Sequence, residues 1–278
     1  MATPEFATLS GQPPPTPAAP WPPLRAARAL WRITATWLHV LHGVAIVALR
    51  WRALDPAGRQ ARIAWWARGL LRRMGLGLVV QGVLLQGAVL VVANHVSWLD
   101  ILAVHAVLPQ ARFVAKSDLQ RWPLLGWLIG AVGTLFIERE RKRDAVRVVH
   151  RTAEALADGQ TVAVFPEGTT GTGPQVLPFH ANLLQAAISV SVPIQPLALR
   201  YAEPGQAFST RAAWVGDDTL PGSLWTIGYG HGLQVSVALL ATVDTRDADR
   251  RALARHLHRV ISTALADGVA ADGAAPPR

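Results

Sequence analysis

From Gly75 onward, short runs of apolar residues alternate with stretches whose apolar positions recur at helical spacing. "GLVVQGV" and "AVLVVAN" read as two strands paired with each other, and "ILAVHAVL" as a helix starting near Trp98. "RFVAK" and "TLFIER" are strands on either side of "LLGWLIGAVG", an apolar helix or interfacial segment. "RDAVRVVHRTAEALADG" has helical periodicity and ends on Gly159, a residue suited to the left-handed C-cap. "TVAVFPEG" is a buried strand running into a turn, "LPFHANLLQAAISV" a helix and "VPIQPLALRY" a strand. "AAWVG" and "LQVSVALLATV" are further strand candidates, and "DADRRALARHLHRVISTALAD" is the last helix. Strands alternating with helices predict an α/β domain whose mixed, largely parallel sheet is flanked by helices.

The residues before Gly75 follow a different pattern. Residues 1–23 are rich in Pro, Ala and Thr and read as a disordered tail; they lack the basic start and apolar core of a secretory signal. Residues 24–74 are helical and membrane-associated in character. The 17 residues between Arg32 and Arg50, "ITATWLHVLHGVAIVAL", carry no Lys, Arg, Asp or Glu. As a helix they reach about 26 Å against a hydrocarbon core of ~30 Å, which is marginal for spanning. His39 and His42 lie within the run, and Trp31, Arg32, Arg50 and Trp51 flank it as interface anchors do. In the following "RQARIAWWARGLLRRMG", Ile63, Trp66, Leu70 and Met74 share one helical face and the arginines lie mostly elsewhere. This predicts a basic amphipathic helix lying in the membrane interface; two helices packed on a core is the alternative. The expected organisation is a tail (1–23), membrane-associated helices (24–74), the α/β domain (75–267) and a loose tail (268–278).

Composition sharpens the membrane expectation. Of 278 residues 51% are hydrophobic and only 16% are charged, yet the formal charge is +9. Twenty-five of the 27 basic residues are arginine, the side chain that grips phosphate and carboxylate in bidentate fashion. A basic, apolar, Trp-rich chain fits an anionic membrane surface or an anionic substrate. No RNP, zinc-finger or heptad pattern supports nucleic acid. The absence of cysteine excludes a disulfide framework, thiolate zinc sites and a cysteine nucleophile. No G-x-S-x-G, H-E-x-x-H or Walker A pattern is present, so neither a serine elbow, a zinc site nor a triphosphate site is expected.

The chemistry concentrates in four stretches. In "VVANHVSWLDI" an apolar strand ends at Asn94-His95, and Asp100 follows five residues after the histidine. With Ser97 as helix cap, Asp100 falls in the first turn, where the helix dipole favours its carboxylate. From there it can reach one imidazole nitrogen, fix the tautomer and raise the basicity of the other. A purely capping role fits the same spacing. In "FPEGTTGTG" a strand end leads to Glu167, Gly168 and Thr169, whose freed amides can bind an anion; Glu167 can face a polar substrate head or organise the loop. Arg139, just past "TLFIE", and Lys116, at the end of "RFVAK", are cations at strand ends, able to clamp a phosphate or to stand as solvated surface charges. In "VPIQP", Pro193 and Pro196 bracket a strand start.

Taken together, "NHVSWLD", "GTLFIER", "FPEGT" and "VPIQP", in this order over roughly residues 75–205, resemble the glycerolipid acyltransferases of the lysophosphatidate acyltransferase family. The resemblance implies acyl transfer from acyl-CoA or acyl carrier protein to a lysophospholipid hydroxyl, with no cofactor, metal or covalent acyl-enzyme. His95 would be the general base and Asp100 its orienting partner. Arg139, Lys116 and the Glu167-Gly168-Thr169 turn would bind the acceptor's phosphate and glycerol. It also implies a membrane-associated protein with its catalytic domain on the cytoplasmic side, at the inner membrane in a bacterium. The most direct substrate is 1-acyl-sn-glycerol-3-phosphate, giving phosphatidate. One departure favours a second acceptor: the family's turn commonly continues F-P-E-G-T-R-S, and here Thr170 stands in place of that arginine. The "FPEGTT" form is similar to a branch that includes lyso-ornithine lipid acyltransferases. Arg200 or Lys116 can supply the missing charge. A basic membrane-binding protein without catalysis is the alternative of another class.

Overall fold

The structure, a computed structural model, describes residues 23–116, 124–137 and 142–274. The residue 1–22 part of the expected tail and Arg139 lie outside the described residues, as does the side chain of Lys116. Two helices come first, α1 (Pro23–Leu49) and α2 (Pro56–Met74), joined by a 3-10 turn at Trp51–Ala53. There follow β1 (Gly77–Gln81), β2 (Val89–Ala93), α3 (Leu99–Val107), β3 (Arg112–Lys116), α4 (Leu125–Ala131), β4 (Leu135–Ile137) and α5 (Lys142–Ala157). The chain continues through β5 (Thr161–Val164), α6 (Leu184–Ser189), β6 (Ile194–Ala202), α7 (Leu220–Tyr229), β7 (Gln234–Leu239) and α8 (Arg250–Ala274).

Among the described residues the strands form one sheet in the order β1-β7-β6-β2-β5-β3-β4. β6, β2, β5, β3 and β4 run parallel, while β7 is antiparallel to β6 and carries β1 parallel to itself. The sheet is mixed and largely parallel, as the alternation of elements predicts. β2 is central and every residue of it is buried. Val89, Val91 and Ala93 enter the core under α2 and α3; Leu90 and Val92 enter the core under α5, α6 and α8. This two-sided burial is why the strand reads as a continuous apolar run rather than an alternating one.

Several expectations are corrected. β1 and β2 do not pair: β1 stands at the far edge against β7, and β2 lies between β5 and β6. "AAWVG" is irregular backbone instead of a strand, α7 forms in a stretch for which the residue pattern specifies no element, and α6 spans only Leu184–Ser189. Pro193 and Pro196 do bracket the start of β6, at Ile194. α8 continues through residues 268–274, where a loose tail was expected.

The apolar stripe of α2 also faces a different partner from the one expected. Leu70 and Met74 are buried, and Trp66 packs against the same core as α3. The stripe therefore covers the protein and not a membrane. α1 carries the outward apolar face instead, with Leu24, Trp31, Leu38, Leu41 and Leu49 all exposed, Leu49 by 82%. α1 is also the one described helix long and apolar enough to cross a membrane.

α1 and α2 interlock through backbone. A ring nitrogen of His39, Nε2, meets the Trp66 carbonyl at 3.0 Å, and Trp66 Nε1 donates to the His39 carbonyl at 3.1 Å. α2 begins with Asp55 accepting from the Gly58 amide at 2.8 Å and Pro56 at the first helical position. It ends at Gly75, in the left-handed region at φ 87°, where a Cβ would also strike the Arg32 guanidinium at 2.2 Å. That guanidinium donates to the carbonyls of Gly228 and Gly230 at 2.9 and 2.7 Å, so one arginine joins α1, the end of α2 and the end of α7.

One buried histidine makes the fold acid-sensitive. His105, on α3, meets the Ala111 carbonyl through Nε2 at 3.1 Å and lies edge-on to Phe113. Burial pushes its pKa down to about 4, against a smaller upward pull from the carbonyl. The unfolded chain takes up this proton near the ordinary value of 6.5. The native state is therefore favoured above that pH and loses up to roughly 3 kcal/mol as the pH falls from there through about 4. Denaturant midpoints near neutral pH and at about pH 4.5 should separate the wild type from His105→Gln, whose midpoint should fall less. Equal falls would assign the acid sensitivity elsewhere.

Candidate active site

The parallel strands β2, β5, β3 and β4 end at one edge of the sheet, at Ala93, Val164, Lys116 and Ile137. This is where open α/β sheets place their ligands. The Asn94–Asp100 turn and the Phe165–Thr169 turn leave from adjacent strands and meet there, 72 residues apart in sequence.

Asn94 frees the chain to make the first turn. Its side-chain amide donates to the Leu199 carbonyl at 2.9 Å and its oxygen accepts from the Leu199 amide at 2.8 Å. The side chain thus extends the β2–β6 ladder while the backbone turns away. His95 follows. Its Nδ1 is 2.8 Å from Asp100 Oδ2, and its ring lies flat on Phe165 with centroids 4.0 Å apart and planes 9° apart. Phe165 in turn stacks on Phe113. Asp100 is fully buried, whereas the His95 side chain is 19% exposed. Among the described residues no partner engages His95 Nε2.

The two readings that the spacing leaves open are realised together. Asp100 Oδ2 accepts from the amides of Val96 at 2.6 Å and Ser97 at 2.9 Å, as a carboxylate in the first turn does when it reaches back to cap its own helix. The same oxygen holds His95. Ser97 is a weaker cap, accepting from the Leu99 amide at 3.3 Å. A residue the sequence does not single out completes the group: Tyr201, at the end of β6, donates its hydroxyl to Asp100 Oδ1 at 2.7 Å. A carboxylate accepts, so the contact turns Nδ1–H toward Asp100 and leaves Nε2 as the outward nitrogen of the ring.

Glu167 points inward. One carboxylate oxygen accepts from the His95 amide at 2.6 Å and the other from the Leu177 amide at 2.8 Å. The residue is buried, and burial raises its pKa, partly offset by the two amides. Of its two expected roles, the geometry realises the organisation of the loop. Gly168 and Thr169 are the exposed residues of the turn, with Gly168 in the left-handed region at φ 72°. Further along, the Gly171 amide donates to the His95 carbonyl at 2.8 Å and the Trp214 amide to the Val96 carbonyl at 2.9 Å. The Thr170 hydroxyl donates to the Trp214 carbonyl. Trp98 Nε1 donates to Ser223 on α7 at 3.1 Å. Thr170 is therefore a tie between loops.

The strand ends bring Lys116 to the same edge as His95; Arg139 lies outside the described residues. Arg200 goes elsewhere. Its neighbours in β6, Leu199 and Tyr201, face the α3 side, whereas Arg200 lies against Gly268 of α8 and donates to the Ala207 carbonyl at 3.0 Å. It does not supply charge beside His95. No three His, Asp or Glu side chains among the described residues are grouped to hold a metal ion.

Comparisons with known proteins bear on the family and the fold. Residues 77–200 match the family model described as Acyltransferase. A lyso-ornithine lipid O-acyltransferase of Pseudomonas aeruginosa is 35% identical over 207 residues, 74% of this chain and 79% of that protein. A 1-acyl-sn-glycerol-3-phosphate acyltransferase of Neisseria meningitidis is 36% identical over 215 residues, 76% of this chain and 84% of that protein. The crystal structure of the 1-acyl-sn-glycerophosphate acyltransferase PlsC from Thermotoga maritima superposes with a TM-score of 0.66 at 20% identity, covering 92% of this chain and 99% of that one. With this extent of identity to acyltransferases of two kinds, and with the PlsC fold, the chain belongs to the PlsC-like acyltransferase family and is an acyltransferase.

Proposed function

We propose that the protein transfers a fatty acyl group from acyl-CoA or acyl carrier protein to the free hydroxyl of 1-acyl-sn-glycerol-3-phosphate, giving phosphatidate. The observation that carries this reading is the His95–Asp100 contact of 2.8 Å, which leaves Nε2 as the outward nitrogen of a ring held by Phe165. Nε2 takes the hydroxyl proton as the lipid oxygen attacks the thioester carbonyl. Asp100 stabilises the imidazolium that results. The tetrahedral intermediate expels the thiolate, and His95 returns the proton to sulfur. The acyl group thus moves from S to O with no net change in protons and no acyl-enzyme. Gly168 and Thr169, exposed beside the pair, face the acceptor, and Lys116 and Arg139 are the cations for its phosphate. The outward apolar face of α1 sits in the bilayer that supplies the lysophospholipid, with the catalytic domain on the cytoplasmic side, at the inner membrane in a bacterium.

A second acceptor, a lyso-ornithine lipid, is favoured by one observation. Thr170 presents no charge and spends its hydroxyl on Trp214, while Arg200 faces the opposite side of the sheet. A headgroup with its own cation needs fewer from the protein. Purified protein in mixed micelles, given labelled acyl-CoA and each acceptor in turn, separates the two. The higher kcat/KM is expected with 1-acyl-sn-glycerol-3-phosphate. The reverse order would select the second reading, and transfer to neither would overturn both.

A further inference from the structure

We propose that Tyr201 is a positioning residue of the His95–Asp100 pair: its hydroxyl holds the Asp100 carboxylate in place, takes up part of its negative charge and so sets the pH range over which His95 works. The proposal rests on the reading of His95 as general base. Asp100 Oδ2 already serves three donors, His95 Nδ1, the Val96 amide and the Ser97 amide. Oδ1 receives one among the described residues, the Tyr201 hydroxyl at 2.7 Å. Two-point attachment stops the carboxylate rotating about its bond to Cβ and fixes the direction in which Oδ2 meets the imidazole. A neutral donor also draws charge from the carboxylate, which weakens its hold on an imidazolium.

Tyr201 is held as firmly as the group it holds. β2 and β6 share register as far as Ala93 and Leu197, so Tyr201 lies four residues beyond the point where β2 turns off. Its backbone stays in the sheet through the pairing with Val235, and its carbonyl accepts from the Ser209 amide at 2.8 Å. Packing alone needs only a phenylalanine here. The buried hydroxyl has Asp100 as its partner, and burial beside a carboxylate pushes the phenol well above its ordinary range, so it remains a donor at working pH. Among the described residues, the ionisable groups that meet His95 are Asp100 from α3 and Glu167 from the turn after β5, the latter through the His95 amide; Tyr201 from β6 acts through Asp100. Phe165, on the ring face, is neutral.

Two substitutions of opposite sign test this on the full-length enzyme in micelles. Tyr201→Phe removes the donor; the carboxylate then binds the imidazolium more tightly, and the acidic limb of kcat/KM should move to higher pH by about half a unit. The loss of restraint should lower the plateau kcat on the order of tenfold, with KM changed much less. Tyrosine occurs only twice in the chain, at Tyr201 and Tyr229. In a Tyr229→Phe background, 3-fluorotyrosine can therefore be placed at position 201 alone. Its more acidic phenol is the stronger donor, and the limb should move to lower pH. Opposite displacements support the proposal. An unmoved limb in both proteins, whatever their thermal stability, overturns it and leaves Tyr201 a packing residue. If Tyr201→Phe does not fold, the fluorinated protein decides alone. Loss of the base reading is recognised separately, by a His95→Ala protein that still turns over.

Discussion

A His95→Ala enzyme is expected to lose acyl transfer on the order of 100-fold or more in kcat, the usual size of a missing general base. The loss should be chemical, because little else in the fold depends on the ring. The main chain of residue 95 keeps its amide on Glu167 and its carbonyl under the Gly171 amide. Asp100 keeps three of its four donors, the amides of Val96 and Ser97 and the Tyr201 hydroxyl. What disappears is the stacking on Phe165, about 1 kcal/mol, which a domain of ordinary stability tolerates. Thermal melts should therefore show a folded protein, and KM for the acceptor should change by a few-fold at most. Turnover close to the wild-type rate in such a protein would remove His95 from the chemistry.

The second large effect divides at Asp100 according to the replacement. Asp100→Asn retains the shape. Its oxygen can take the place of Oδ2 and serve His95 and the two amides, and the Tyr201 hydroxyl can turn to accept from the new amide group. Folding should survive with a cost of about 1–3 kcal/mol, but the imidazolium formed in the reaction loses its counter-charge. The rate should fall on the order of 100-fold or more, with the acceptor KM little changed. Asp100→Ala removes the acceptor itself. Four donors, three of them on a fully buried oxygen, are then left without a partner. Each costs about 1–3 kcal/mol, together a large part of the 5–15 kcal/mol that holds a domain. Denaturant unfolding of the two variants alongside their turnover checks both claims. An Ala variant as stable as the Asn variant would mean that the amides of Val96 and Ser97 find other partners.

Much of this protein is legible along the chain, and the reason is local. β2 reads as a strand because both of its faces are buried, and its end is marked where polar Asn94 and His95 interrupt the run. Asp100 lies within one turn of His95, so a spacing rule is enough to join them. Glu167 and Tyr201 reach the same cluster from 72 and 101 residues away, and no spacing rule operates at that distance. Their contributions depend on β5 and β6 lying on either side of β2. A carboxylate in a glycine-rich turn looks alike in sequence whether it faces a substrate or two backbone amides; the fold turned Glu167 inward.

The same division runs through the helices. Periodicity shows that α2 has an apolar stripe and that α1 lacks charge over its length, but it does not say what covers either. Packing put the stripe of α2 on α3 and left the face of α1 outside, because α2 supplies the small and aliphatic residues Ala67, Leu70 and Leu71 that fill the space above β2. In the same way the residue pattern of "GLVVQGV" specifies a strand but not a neighbour. β1 pairs with β7 rather than β2 because strand order is set by which faces helices can cover, a property of the whole sheet. The sequence by itself therefore determined the α/β class, the apolar first helix and the His95–Asp100 pair, all written in contacts within a few residues. Tertiary structure decided the strand order, the inward turn of Glu167, the position of Arg200 on the far side of the sheet and the hydroxyl of Tyr201 on Asp100, because each depends on segments brought together only when the core closes.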